Sequence, residues 1–300
     1  MSGIVVVGSA NIDQVFRVDR IPSPGETVLS RGVNTALGGK GQNQAVAAAR
    51  AGVSTTFIGA VGNDGFGDMV RSGLVADSID VTHLRTTERP TGTALIAVDN
   101  TGENTIIVEA GANADVADLT ATDSSALSAA SALVMQLEIP LATVIEAARI
   151  ARAVGTRVIL NAAPIQALPS DLLENLDILI VNEHEAAELA RDNDLSSELD
   201  GIGERLLSLV STVIVTLGSK GAALHRVGSE PVIVPAHRVT AVDATGAGDT
   251  FCGAFAAGVV EGMMLEDALR FAGAAASISV ENHGAVPSIP FREAIETRLK

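Results

Sequence analysis

The 300-residue sequence has no Trp and no Tyr, and its 7 Phe bring aromatics to only 2%. A core must therefore be built from Val, Ile, Leu and Ala, a composition suited to buried parallel strands under close-packed helices. The single cysteine, Cys252, excludes an intrachain disulfide and a thiolate metal cluster and points to a reducing compartment. Basic residues are scarce too: 20 Lys and Arg stand against 36 Asp and Glu, and the resulting charge of −16 argues against a nucleic-acid partner. An anionic ligand would have to be held by backbone N–H groups, a few lysines and a divalent cation. No apolar run reaches the roughly 18 to 20 residues that span a bilayer, so no membrane association is expected. Met1 leads directly into Ile4-Val5-Val6-Val7, without a basic stretch or small-residue cleavage site, so a cytoplasmic location is expected. The five histidines, His83, His184, His225, His237 and His283, have no metal-ligand spacing, and no G-x-S-x-G element is present.

What is present is 47% hydrophobic residues arranged in an alternation of short β-branched runs and Ala-rich stretches. Strand-like runs at 4–7, 55–61, 133–137, 157–160, 177–181 and 212–216 alternate with helical patterns at 44–51, 66–76, 141–154, from 183, and at 196–209. This predicts an α/β fold with a central, mostly parallel β-sheet flanked by helices. Such sheets bind ligands at the carboxyl ends of their strands. Two segments, residues 14–35 and 91–108, read instead as extended runs and predict a small antiparallel flap, a lid inserted into a single domain spanning 1–300. Exposed strand edges on such a flap favour pairing with a second subunit. From residue 248 the pattern is helical, at 248–261, 265–280 and 290–299.

The strongest chemical signal is Asp243-Ala244-Thr245-Gly246-Ala247-Gly248-Asp249-Thr250-Phe251, which opens a long helix. Small residues let the backbone approach an anion, and the free N–H groups of Gly246, Ala247 and Gly248 would aim at a phosphate. Asp249 in the same turn is placed to take a proton from an attacking hydroxyl. A bare G-x-G-D would more often be a glycine turn with Asp as a cap. Gly38-Gly39-Lys40-Gly41-Gln42-Asn43 also precedes an Ala-rich helix, and Asn43 offers a donor and an acceptor to a polyol. This run is neither a Walker A loop nor a dinucleotide turn. Asn11 and Asp13 follow the first strand, and an amide with a carboxylate grips vicinal hydroxyls. Glu138 and the pair Asn182 and Glu185 stand at further strand ends, where carboxylates could organise Mg²⁺ through water. Thr216-Leu217-Gly218-Ser219-Lys220-Gly221 ends another strand with a lysine suited to nucleotide phosphates.

Taken together, Gly39-Lys40-Gly41 with Asn43, Asn182-x-x-Glu185 and the run from Asp243 to Phe251 resemble the signatures of the ribokinase-like carbohydrate kinase family, across essentially the whole chain. The resemblance implies a central α/β domain, a β-lid that also forms a homodimer contact, and transfer from Mg²⁺·ATP to the 5-hydroxyl of ribose. By position it implies that Asn11, Asp13, Gly39, Lys40, Asn43, Glu138 and Asp249 contact the sugar. Asn182, Glu185, Thr216, Gly218, Lys220, Gly221 and Gly248 would serve the nucleotide. K⁺ activation is implied at Asp243, Thr245, Ser279, Asn282, Gly284 and Ser288, largely through backbone carbonyls. Two departures stand out. Many ribokinases carry Asp-Thr-x-Ala-Ala-Gly-Asp where this chain has Asp-Ala-Thr-Gly-Ala-Gly-Asp, a form shared with fructokinase-like members, and Gly273 replaces a frequent His near the adenine. Acceptors such as fructose, deoxyribose or a nucleoside therefore stand as alternatives to ribose. A sugar-binding sensor without catalysis and an NAD-linked oxidoreductase are the alternatives of other classes, the latter without its glycine fingerprint.

Overall fold

The computed structural model describes residues 3–196, 198 and 201–300. In chain order, β1 (Ile4–Val7), β2 (Asn11–Arg17) and β3 (Gly32–Gly38) lead into α1 (Lys40–Arg50). There follow β4 (Thr55–Gly62), α2 (Gly65–Ala76), β5 (Leu84–Thr87), β6 (Gly92–Val98), β7 (Asn104–Glu109), α3 (Ala121–Ala129), β8 (Ala132–Met135) and α4 (Leu141–Val154). The chain continues through β9 (Arg157–Asn161), α5 (Ser170–Leu173), β10 (Ile178–Asn182), α6 (Glu183–Asp192), α7 (Ile202–Leu206) and β11 (Thr212–Thr216). It closes with β12 (Ala222–Arg226), β13 (Val232–Val234), α8 (Ala247–Val260), α9 (Leu265–Ser279) and α10 (Arg292–Arg298).

Nine strands form one sheet in the order β13-β12-β11-β10-β9-β8-β1-β4-β5, parallel except at the β12 and β13 edge. β1 lies inside it, paired in parallel with β4 and β8, and all four of its residues are buried. Strand alternation sends Ile4 and Val6 into one apolar layer with Phe57, Phe255 and the helices α1, α8 and α9. Val5 and Val7 point to the other layer, with Leu133, Leu160 and helices α4 and α6. A strand buried on both faces needs apolar residues at every position, which is why these runs are continuous rather than alternating.

Four strands form the smaller sheet, in the order β3-β2-β6-β7. It is mixed rather than the antiparallel flap expected from sequence: β2 pairs with β6 in parallel, while β2–β3 and β6–β7 are antiparallel. The reason is topological. β2 and β6 each continue outward from the same end of parallel strands β1 and β5, so they must run in the same direction. The helix expected over 196–209 is reduced to α7, and residues 197, 199 and 200 of that range lie outside the described residues. After Leu206 the chain tightens into three-residue turns, Ser208 N to Arg205 O and Leu209 N to Leu206 O. Helix α3 was not expected, yet its start carries a readable signal: Thr120 and Asp123 form a reciprocal capping box.

Two helices set the site. α1 and α8 pack so closely that a Cβ on Gly253 would lie 2.3 Å from the Gln44 carbonyl oxygen. Any larger residue there would push the two helix starts apart. No described helix is long and apolar enough to cross a membrane.

Candidate active site

The carboxyl ends of β9, β10 and β11 and the starts of α1, α6 and α8 meet at a cleft of about 230 Å³. Lys40, Asn161, Asn182, Glu185, Thr216, Gly246, Gly248 and Asp249 line it, with Ala163, Ile180, Ala244 and Cys252. Gly246 is the N-cap of α8 and takes a left-handed φ of 73°, which a side chain would strain. Gly248 lines the cleft in the first turn of α8, whereas the Ala247 N–H expected to face a phosphate is already engaged, donating to Ala244 O at 3.2 Å.

Asp249 sits one turn into α8 and is only 7% exposed. Its Oδ2 accepts a hydrogen bond from Asn43 Nδ2 at 2.9 Å and its Oδ1 one from Gln44 Nε2 at 3.0 Å. Burial drives its pKa upward, while Lys40 and the two amide donors favour the ionised form. Burial acts to lower the Lys40 ammonium, but Asp249, Glu138 and Glu185 outweigh it and raise its pKa. Lys40 therefore stays a cation at the centre of three carboxylates. Asn43 Oδ1 is buried and has no hydrogen-bond partner among the described residues. With its Nδ2 committed to Asp249, that oxygen is an acceptor for a ligand hydroxyl.

Around this centre the sugar-side residues are pinned by their neighbours. Glu138 Oε2 accepts from Ser9 Oγ at 2.5 Å and from the Lys40 backbone N–H at 3.0 Å. Asn113 Oδ1 accepts from Ala10 N at 2.9 Å, and Asn113 Nδ2 donates to Asn11 Oδ1 at 2.7 Å. The Asn11 oxygen is thereby occupied and its NH₂ is left to act as donor. The Asp13 carboxyl is raised to about 6 by burial first, then by Glu138 and Asp249. Three carboxyls thus converge on one volume, and Glu138 helps to raise the pKa of both Asp13 and Asp249.

The sequence model of the pfkB family of carbohydrate kinases matches residues 1–292. The chain belongs to this family. It is 41% identical over 304 residues to the ribokinase of Schizosaccharomyces pombe, with 97% of this chain and 95% of that protein aligned. Among solved structures, Arabidopsis thaliana ribokinase complexed with ribose and ATP superposes with a TM-score of 0.93 at 35% identity, covering 100% of this chain and 99% of that one. The ribokinase of Thermotoga maritima gives a TM-score of 0.92 at 39% identity, with the same coverage of 100% and 99%.

On the far side of the cleft, this carbohydrate kinase presents Asn182 and Glu185 as a capping box at the start of α6. Asn182 N donates to Glu185 Oε2 and Glu185 N to Asn182 Oδ1, each at 2.8 Å. Burial raises the Glu185 pKa against the opposing pull of the Asn182 N–H and Lys40. Glu185 is buried at this helix start. Lys220 does not join the cleft lining: it is largely exposed, 3.7 Å from Glu183 Oε1. Gly218 and Gly221 flank it, both at positive φ. A Cβ at Gly273 would meet nothing within 4 Å, so this departure leaves open space beside α9.

The segments expected to hold a monovalent cation are drawn together behind α8. Asp243 Oδ1 accepts from Thr245 N at 2.9 Å and Thr245 Oγ1 at 2.6 Å, and its Oδ2 accepts from Gly284 N at 2.8 Å. Burial acts to raise this carboxyl, but these donors hold it below the usual range. Ser279 and Ser288 share a hydrogen bond of 2.9 Å, while Asn282 is exposed and donates to Ile278 O. Residues outside the sequence reading also enter the site: Ser9, Gln44, Asn113, Gln136 and Asn161. Gln44 and Gln136 fall within the expected helix at 44–51 and the expected strand at 133–137, but nothing local marked either as part of the site.

Proposed function

We propose that this kinase is an ATP-dependent ribokinase that phosphorylates D-ribose at O5, yielding ribose 5-phosphate. The observation that carries the reading is Asp249: a buried carboxylate, oriented by two amides, in the first turn of a glycine-led helix beside Lys40. Asp249 takes the proton of the acceptor hydroxyl as it attacks the γ-phosphorus. The Gly246 and Gly248 N–H groups and the helix dipole stabilise charge on the transferring group. Asn11, Asp13, Gly39, Lys40, Asn43 and Glu138 bind and orient the sugar. Asn182, Glu185, Thr216, Gly218, Lys220 and Gly221 serve ATP. Ribose is favoured over fructose, deoxyribose or a nucleoside by the likeness to ribokinases from several kingdoms.

Mg²⁺ would accompany the nucleotide. No described group of three or more His, Cys, Asp or Glu side chains could hold a metal by itself, so the ion would be held mainly by phosphates and water, with Glu185 behind it. It would neutralise the phosphate charge. For K⁺, the donor set around Asp243, Thr245, Ser279, Asn282, Gly284 and Ser288 is all oxygen, which suits a hard cation. Its place behind the first turn of α8 would let it stiffen that turn. The smaller sheet would act as the lid over the sugar and, through its exposed face, as the homodimer contact, and the protein would work in the cytoplasm.

An assay of ADP release with Mg²⁺·ATP over ribose, deoxyribose, fructose and a set of nucleosides tests the reading. Ribose is expected to give the highest kcat/KM. A clear preference for another acceptor overturns the substrate, and no turnover with any overturns the kinase.

A further inference from the structure

Behind Asp249 lies a chain of side-chain amides that the transfer mechanism does not itself require. Gln136 Nε2 donates to Gln44 Oε1 at 2.6 Å. Gln44 Nε2 in turn donates to Asp249 Oδ1 at 3.0 Å and to Asn161 Oδ1 at 3.1 Å. Gln44 and Gln136 are both fully buried. A primary amide has two N–H donors and one carbonyl acceptor, so all three atoms of the Gln44 head are engaged. The direction of that head matters. Turned by half a revolution, it would present Oε1 to the Asp249 carboxylate and leave two buried oxygens facing each other. Asn161 favours the orientation in which Gln44 donates to the base, and Gln136, whose own Oε1 has no partner among the described residues, completes it by donating to Gln44 Oε1. Asn161 is itself fixed, since its Nδ2 donates to Ile180 O.

We propose that Gln44 is a positioning residue for Asp249, with its amide direction set by Asn161 and completed by Gln136, and that this relay keeps the base aimed and ionised when the acceptor binds. The inference rests on the reading of Asp249 as the base. Its physical basis is that amides donate without titrating, so they stabilise the carboxylate without competing for the proton it must take. Other charges also act on Asp249. Lys40 from α1 favours ionisation, whereas Glu138 after β8, Glu185 on α6 and Asp13 on β2 oppose it, and the Cys252 thiol lies beside it on α8. With three carboxyls raising the pKa, the loss of an amide donor is expected to show in the pH profile.

The test compares wild type, Gln136→Met, Gln136→Leu and Asp249→Asn by kcat, KM for ribose and the pH dependence of kcat, with thermal melting as a check of folding. Gln136→Met removes the donor at similar volume. Gln136→Leu also removes the donor without adding a charge, and it carries the same expectation if the methionine variant fails to fold. Each folded Gln136 variant is expected to lose roughly tenfold in kcat with KM changed less than about twofold. The acidic limb of its profile should move to higher pH, because losing an N–H on the ionised form raises the pKa of the base. A merely structural role would leave that limb in place. Wild-type kcat and profile in the Gln136 variants, with Asp249→Asn inactive, overturn the relay and leave the base assignment standing. Turnover by Asp249→Asn overturns the base assignment, and the relay with it.

Discussion

Asn113 Nδ2 donates to Asn11 Oδ1 at 2.7 Å, joining the segment that leaves the smaller sheet to the residue that enters it. Asn113 also holds the Ala10 backbone on both its N–H and its C=O, so one buried side chain fixes the hinge and the direction of the Asn11 amide. The Asn113→Ala variant is expected to raise KM for the sugar roughly tenfold, since Asn11 would lose its orientation and two backbone groups would lose partners. Asn113→Asp should do much the same, because a carboxylate cannot donate to Asn11 Oδ1. Steady-state kinetics check both; unchanged KM in both variants would remove Asn113 from the sugar site.

Asp249→Asn should fold and bind sugar, yet lose about 10² to 10⁴ in kcat, the usual worth of a positioned general base. Relief from burying a charge offsets the poorer match between an amide and two amide donors. Circular dichroism and calorimetric sugar binding establish the fold and the pocket; kcat near wild type would exclude Asp249 as the base.

Asp13 is expected to make sugar affinity depend on pH. Its carboxyl titrates near 6 in the free protein, and the ionised form accepts hydroxyl hydrogen bonds. Lowering pH from 7.5 to 5 protonates it, so apparent affinity should weaken roughly tenfold as the competent fraction falls to about one in ten. Asp13→Asn should bind more weakly at pH 7.5 and lose that dependence. Calorimetry with the sugar, repeated in the Asp249→Asn background, separates this group from Asp249, and a flat wild-type profile would contradict it.

Strand β7 is an edge of the smaller sheet, and Ile106, Ile107 and Val108 are 53%, 64% and 54% exposed. An apolar edge of this kind invites pairing. Light scattering on the eluting protein is expected to give a dimer, and Ile107→Lys a monomer with weakened sugar binding. A monomeric wild type at micromolar concentration would count against the lid contact.

Asp243 ties Thr245 to Gly284 behind α8, so Asp243→Ala should abolish the gain in activity from K⁺ over Na⁺ while leaving the melting temperature within a few degrees. Assays in the two salts at equal ionic strength decide it. Equal wild-type activity in both would dismiss the cation site.

Local sequence was informative wherever one physical constraint acts on neighbouring residues. Ile4-Val5-Val6-Val7 announces a strand buried on both faces, and Gly246-Ala247-Gly248-Asp249 announces a glycine-led helix start with a carboxylate in its first turn. The parallel pairing of β2 with β6 was not legible, because strand direction depends on where each strand leaves the main sheet. Likewise α7 proved shorter than its apolar spacing suggested.

The sequence by itself determined the layered α/β fold and the glycine-led start of α8 with a carboxylate in its first turn, since each depends on residues within a few positions of one another. Only the tertiary structure decided what stands behind that base. Gln44 is 117 residues from Asn161 and 205 from Asp249, and Asn113 is 102 from Asn11. A buried amide reads the same in sequence whether it fills a core or aims a carboxylate; the difference lies in its hydrogen-bond partners, and packing alone chooses those.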